Sequence, residues 1–554
     1  MAPWVTQPRV GDLPDQAAGR FGPWEALCFE DRRWNFIEFR VDVDRAARAL
    51  MALGVSPGEH IALWLPNRPE WLHLFYAVAK IGAVVVPVNT RFRTRDLGYV
   101  LHQSDATTLI TTDRAGSVGY LDMVRDLCPE LDAGTPAGFR SARFPALRRI
   151  VAVGETGAPG VVPWTEALRA GDRVPEAELR SREAGVDPRG TVLIMYTSGT
   201  TGFPKGAMHS HCIVQTVADG ASRWGITPRE VILMYLPLFH TFGLYEGVLM
   251  SLVSGARIVL MERFDPGEAL HLLARERATY LCGFDTHFHD LMEHPAFPAP
   301  DRRGLRLGFL PAGLASTEPI ARRANRAFVK TVSAYGMTEI GTGACRSFLD
   351  ASEDERCLGS GYPAPGYEYK VVDPATGHWL APGVPGELCV RGYAVMQGYY
   401  RKPEETAQVV DAEAWFHTGD MAVIDRDGFV RFMGRYKEML KVGGENVDPA
   451  EVEALLVEHP AVSLAKVVGV PDPRLGEVSV ACLVLREGHR VTEEEMLGFC
   501  RGKLASFKLP KRVLFFDDYP MTTSGKVQKF QLREMALARL ARQAIERGSP
   551  AASA

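Results

Sequence analysis

Short apolar runs that alternate with helix-period runs constrain this chain more than any other feature. HIALWL (60–65) reads as a buried strand, and 68–81 reads as a helix with Trp71, Phe75 and Ala79 on one face. AVVVPV (83–88) is again a strand, 94–102 a helix and TTLITT (107–112) a strand. Strands without polar alternation, separated by helices, are what a parallel sheet covered on both faces requires. The rhythm resumes at Thr191 with TVLIMY, VILMYLPL, ARIVLM, TYLCGF and LRLGFL, and with helical stretches at 213–224, 266–278 and 318–328. Two such arrays in one chain predict two packed sheet sub-domains. A chain of 554 residues also exceeds the about 250–300 residues at which one core stops growing.

Between the arrays, 115–190 is rich in turn formers and polar residues and is expected to be a loop-rich connection. After about Gly341 the strand-like pieces become short and turn-punctuated: EYKVVD, GELCVRG, MAVIDRDG, FVRFMGR. A basic segment, RYKEMLKVGGENV, then leads into helices expected at 449–458, 492–504 and 531–547. These divisions predict an N-terminal domain over 1–435 and a small α+β domain over 436–554. Charge is nearly balanced at -4, which excludes a whole-surface nucleic-acid binder or a polybasic membrane anchor. The nine cysteines show no CxxC spacing, so neither structural zinc nor a disulfide framework is expected. No run reaches the about 18 apolar residues of a membrane span, and the first residues lack the apolar core of a secretory signal, so a cytoplasmic location is expected.

The chemistry concentrates in MYTSGTTGFPKGAMHSH. A strand runs into Thr197, Ser198, Gly199, Thr200, Thr201, Gly202, Phe203, Pro204, Lys205 and Gly206. Glycines let backbone N–H groups approach an anion, hydroxyls add donors and Lys205 adds charge, a combination suited to pyrophosphate. Gly206 after the lysine, where a P-loop has Ser or Thr, sets it apart from that motif. Taken singly, other groups have two readings. Glu339 is a metal ligand or a helix cap, Asp420 a ribose acceptor or an Asx turn, Lys526 a catalytic or a surface lysine, and His240 a pocket group or a structural histidine.

The run TSGTTGFPKG resembles the signature of the adenylate-forming superfamily, which includes acyl-CoA synthetases, peptide-synthetase adenylation domains and luciferases. AYGMTE (334–339), FHTGD (416–420), GRYKEMLKVGGENVDPAEVE (434–453) and TTSGKVQK (522–529) follow in the family's order. The resemblance implies an α/β fold: a large N-terminal domain of two βα sheet sub-domains plus a small distorted β-barrel, and a small mobile α+β C-terminal domain. It implies that Thr197–Lys205 binds the ATP phosphates with Thr200 taking part in catalysis. Ala312 and Gly313 of PAGL would meet the adenine edge, Tyr335 would stack on adenine with Gly336 and Met337 beside it, and Thr338 would reach the phosphate. Glu339 becomes the Mg²⁺ ligand, Asp420 and Arg435 the ribose contacts, Lys526 the adenylation lysine and Lys437 the hinge. Lys441, Gly443 and Gly444 would face coenzyme A after domain rotation, with a Lys503, Lys508 and Lys511 cluster either meeting the CoA phosphates or standing solvated.

The implied reaction joins a carboxylic acid to ATP, releases pyrophosphate, and passes the acyl group to the CoA thiol. The acyl pocket is expected from His240, Phe284, Gly336, Ile340 and Gly341, with Phe239, Phe242 and Met337 as apolar wall. Asp285 departs from the family's usual proline. With His287 it offers either polar contacts to a hydroxylated acid or a helix cap and a surface residue. The expected substrate is a short- or medium-chain, branched or small hydroxy acid. The alternative acceptor is a carrier protein, although LFHTFG lacks the acidic anchor that an amino-acid module needs. Partners are the acid, ATP and CoA, without nucleic acid or membrane span, and homodimerisation is left open.

Overall fold

The computed structural model describes residues 9–546 apart from 133, 136–138, 155–156, 198–203, 298–303, 315–316, 443–444, 473–474, 502, 505 and 523–524, and gives only the backbone of 437, 441, 445–446 and 544–546. Two seven-stranded sheets carry the large domain. The first runs, edge to edge, Lys205–Ser210, Thr191–Thr197, Val84–Pro87, His60–Leu63, Thr108–Thr112, Arg149–Val153 and Val162–Pro163. The second runs Thr331–Val332, Leu307–Phe309, Tyr280–Cys282, Val231–Met234, Arg257–Leu260, Glu25–Phe29 and Arg32–Asn35. Pairing is parallel except at the edge strands Lys205–Ser210 and Arg32–Asn35.

The arrays along the chain are therefore not the sheets in space. Thr191–Thr197, which opens the second array, pairs with the first through Leu193 and Val85. Glu25–Phe29, from the N-terminal end, joins the second sheet with Leu27 beside Ile258. Nor is 115–190 a loop-rich connection. Arg149–Val153 extends the first sheet alongside Thr108–Thr112, and helices form at Tyr120–Leu127, Trp164–Gly171 and Glu176–Ala184. The last is polar around its circumference and buries only Leu179, so it has little apolar period to read. VILMYLPL also proves shorter as a strand, ending at Met234.

Helix Pro69–Lys80 lies between the lobes with most of its side chains buried. Asn67, just before it, donates to the Leu236 and Met261 carbonyls just past two strands of the second sheet, and Tyr76 donates to the Val248 carbonyl at 2.8 Å. The buried Lys80 ammonium is held by Asp44 at 2.6 Å, Glu183 at 2.9 Å and Asp15.

Beyond the sheets, Ala334–Tyr335, Cys345–Arg346 and Tyr362–Pro363 form a three-stranded sheet. Tyr367–Val372, Gly386–Gly392, Phe416–Ile424 and Val430–Arg435 form a four-stranded antiparallel one. The two are bridged through Gly361 and Val430. A 3₁₀ turn at Tyr436–Glu438 follows, and the next strand, Leu440–Val442, already belongs to a separate five-stranded sheet. That sheet carries its own apolar core around Val447, Leu456, Val467, Ala481 and Met496. Its helices are Pro449–Val457, Glu493–Cys500 and Lys529–Glu546, the middle one ending four residues before the sequence expectation.

One buried ion pair braces the large domain. Arg346 and Glu246 are both fully buried and make two hydrogen bonds, at 2.8 and 3.1 Å. The guanidinium also lies 4.6 Å from the ring of Trp224. Removing one charge strands the other in apolar surroundings, which costs about 3–5 kcal/mol. Glu246→Gln should accordingly lower the thermal midpoint by several degrees in differential scanning fluorimetry.

Candidate active site

Four neighbouring parallel strands of the second sheet end in the same direction, and their following loops are thereby placed side by side. Val231–Met234 leads to His240, Tyr280–Cys282 to Phe284, Leu307–Phe309 to Ala312 and Gly313, and Thr331–Val332 to Tyr335. The crevice beyond the carboxyl ends of such strands is where open α/β sheets bind ligands.

On one side, Tyr335 donates to Asp420 at 2.8 Å, and Arg435 approaches the other Asp420 oxygen at 3.3 Å. Asp420 and Arg435 are facing partners in the antiparallel register, so the sheet itself sets their pairing. Burial and the neighbouring Asp420 carboxylate push the Tyr335 phenol well above its usual range, so it remains a donor. Phe432 packs against the Tyr335 ring with centroids 5.6 Å apart. Ala312 is pinned by its N–H to Ser333 at 2.8 Å. Gly313 adopts φ of +126°, where a side chain would be strained. Gly336 has no room for one: a Cβ would lie 2.4 Å from the Gly343 nitrogen.

Glu339 sits in a 3₁₀ turn, Thr338–Ile340, shortly after the strand Ala334–Tyr335, and is buried. Tyr399 donates to its Oε1 at 3.0 Å, and the Lys205 ammonium lies 4.6 Å from the ring of that same tyrosine. Glu339 and Lys205 thus share one neighbourhood although 134 residues separate them. Thr197 faces Lys205 across the antiparallel pair. Ser198, Gly199, Thr200, Thr201 and Gly202 lie outside the described residues, as do Gly443 and Gly444. Lys437 falls in the 3₁₀ turn between the two domains' sheets, and Lys441 pairs with Asn446 in a hairpin. Lys529 approaches Glu438 of that turn and Glu453 of the small domain, each at 3.3 Å.

The apolar wall is aromatic. Phe242 contacts Phe284 and Phe309 edge to face, with centroids 5.0 and 4.9 Å apart. Ile340 is fully buried and Gly341 takes φ of +74°. His240 ends no strand. It caps the next short helix by accepting from the Phe242 N–H, and a π-helical turn, Leu244–Leu249, follows. Lys526 reaches this wall from the small domain, its ammonium 4.6 Å from the Phe284 ring centroid. The residue is solvent-exposed overall, yet desolvation by the surrounding protein pushes its ammonium down to about 8, with Arg435 adding repulsion. Burial, and then the Lys526 charge, pushes His240 down to about 3.

His287 is not a surface residue. It is buried, accepts from the Phe284 N–H at 3.1 Å, and packs against Tyr235 and Phe264. Burial pushes it down to about 4. The expected lysine cluster is partly neutralised: Lys508 pairs with Glu451 at 2.6 Å, and Lys503 lies over the Phe499 ring. Tyr399 and Phe432 were not among the sequence candidates. Each earns its place through a neighbour distant in sequence, and GYY (398–400) and VRFMGR carry no spacing that names it.

Both histidines should stay neutral across pH 5–8. Their folded affinity for protons is lower than the unfolded value near 6.5, so their contribution is present above about 6.5 and is lost as pH falls toward their folded values. Imidazole NMR resonances of His240 and His287 should show no titration between pH 5 and 8, and stability should decline as pH falls below about 6.5.

The model of the AMP-binding enzyme family matches residues 14–400, and that of the AMP-binding enzyme C-terminal domain matches 451–526. The chain is 38% identical over 532 residues to the putative acyl-CoA synthetase YngI of Bacillus subtilis (strain 168), covering 95% of this chain and 97% of the relative. It is 35% identical over 535 residues to the mitochondrial medium-chain acyl-CoA ligase ACSF2 of Rattus norvegicus, covering 95% and 87%. Among solved structures, the anthranilate CoA ligase AuaEII in complex with anthranoyl-AMP superposes with a TM-score of 0.83 at 26% identity, covering 97% and 99%. The chain belongs to the AMP-binding enzyme family, in the acyl-CoA synthetase branch of the adenylate-forming superfamily, and is an AMP-forming acid–CoA ligase that uses ATP.

Proposed function

We propose that this ligase activates a short- or medium-chain, branched or small hydroxy carboxylic acid as its acyl-adenylate and transfers it to coenzyme A. The observation that carries the reading is the Lys526 ammonium, poised over Phe284 at the head of the aromatic wall with Asp420 and Arg435 behind it. A cation there bridges the incoming carboxylate and the α-phosphate and aligns them for attack. Asp420 would accept from the ribose hydroxyls beside Arg435, and Tyr335 with Gly336 and Met337 would cover the adenine between Phe432 and the Ala312–Gly313 loop. Thr197 to Lys205, with Thr200, and Thr338 would hold the phosphates.

Glu339 suits a magnesium ion: one carboxylate oxygen accepts from Tyr399 and the other makes no hydrogen bond to the described residues. Glu339 would hold such an ion, which would supply positive charge against the departing pyrophosphate. Lys205 adds a cation on the same side. The neutral His240 stands at the passage between the acyl wall and the thiol side, where a charged imidazole would repel Lys526.

Residues 436–554 form the unit that moves in this reading, turning at Lys437 and bringing Lys441, Gly443 and Gly444 to the thiol. A small hydroxy acid stays within this reading: His287 Nδ1 is taken up by the Phe284 N–H, while the Asp285 carboxylate acts on Lys526. The medium-chain specificity of ACSF2 agrees with an apolar pocket.

The test is a pyrophosphate-release screen from acetate to palmitate, with and without CoA. Acyl-CoA should form with short, medium or branched acids, whereas loading of a carrier protein alone would overturn the reading. Lys526→Ala should slow adenylation by about a hundredfold or more while sparing thioester formation from supplied acyl-adenylate. The ammonium is lost as pH rises through about 8, so kcat/KM for ATP should fall on the alkaline side with that midpoint. A profile flat through this region would contradict a required charge.

A further inference from the structure

We propose that helix Asp285–Glu293 is a polar latch that fixes the Lys526 loop for the first half-reaction, with Thr286 and His287 as positioning residues; this rests on the ligase reading above. The Thr286 hydroxyl donates to the Gly525 carbonyl at 2.6 Å across the domain boundary. The same peptide unit ends in the Lys526 N–H, which donates to the Thr522 hydroxyl at 2.9 Å. Both polar ends of one rigid peptide plane are thereby tied, one to the large domain and one to its own loop. The lysine leaves the chain directly from that plane, so its direction is set before any substrate arrives.

His287 supplies the floor. Its ring is held by the Phe284 N–H on one side and by Tyr235 and Phe264 around it. Gly525 lies so close that a Cβ would come within 2.1 Å of the imidazole, and its φ of +83° is one that glycine accepts freely. Burial keeps the ring neutral, so it supports the loop without opposing the lysine.

The docking extends along one face of the helix. Thr286, His289 and Glu293 follow at i, i+3 and i+7, and all three meet the small domain. His289 pairs with the Ser463 hydroxyl at 2.8 Å, and Glu293 with Arg486 at 3.4 Å. From another element of the large domain, Arg91 donates to the Met521 carbonyl at 2.7 Å. Each is a single polar contact that water can replace on opening, which fits a surface that must release between half-reactions. An apolar seam of equal extent would hold the domains together.

The experiment compares wild type, Thr286→Val and Thr286→Ser in separate half-reactions: acid-dependent pyrophosphate release without CoA, and acyl transfer from chemically supplied acyl-adenylate to CoA. Valine keeps the shape and removes the hydroxyl. The expected result is a loss of at least about tenfold in the adenylation kcat for Thr286→Val, with ATP KM little changed, acyl transfer unchanged or faster, and near-wild-type behaviour for Thr286→Ser. Equal loss in both halves, or no loss in either, would overturn the latch. Absence of acyl-CoA formation by the wild type itself would instead overturn the ligase reading, so the two failures are distinguishable. Gly525→Ala provides a second arm. It should block adenylation while the thermal midpoint holds, and full adenylation by that variant would also refute the close docking against His287.

Discussion

The Arg346–Glu246 pair is the interaction on which the reactive side of the large domain rests. Two charges without solvent contact repay their desolvation only if the geometry is close, and the Arg346 Nε still makes no hydrogen bond to the described residues. Here Glu246 takes two guanidinium hydrogen bonds and Trp224 covers the cation's face. The pair joins the π-helical turn that follows His240 to the strand that follows Gly343. Gly220 and Gly343 admit the guanidinium, since a Cβ on either would fall within 2.8 Å of it. The two segments, one after His240 and one after Gly343, are therefore held to each other.

On that frame, the order of strands decides the chemistry. His240, Phe284, Ala312 and Tyr335 come from four segments spread over about a hundred residues, and adjacent parallel strands deliver them to one crevice. The antiparallel sheet beyond adds Asp420 and Arg435 as register partners. The small domain contributes Lys526 across a seam of single hydrogen bonds and ion pairs. In the proposed reading, rigid elements hold one half of the site and a surface that releases holds the other, as a two-step reaction at one pocket needs.

Much of this was legible beforehand. Apolar runs named the strands because burial on both faces leaves no polar alternation, and TSGTTGFPKG, AYGMTE, FHTGD and TTSGKVQK marked the family. Helix ends were read to within a few residues in most cases, because Pro69, Pro266 and Pro449 stand near the helix starts. The strand Arg149–Val153 was hidden among turn formers, and Glu176–Ala184 had no apolar stripe to betray it. Tyr399, Phe432 and Thr286 escaped because each acts through a partner far along the chain.

The sequence by itself determined that βα arrays and a small α+β unit would form, and that the motifs of the AMP-binding enzyme family would stand in this order. Local periodicity and motif order suffice for that, since each is a property of neighbouring residues. Only the tertiary structure decided that the sheets exchange strands, so that Leu193 pairs with Val85 and Leu27 with Ile258. Only it turned His287 from an apparent surface residue into the buried floor beneath Gly525. The physical reason is the same in both cases: strand partners and domain contacts are chosen by burial summed over distant segments, and no local window of residues contains that sum.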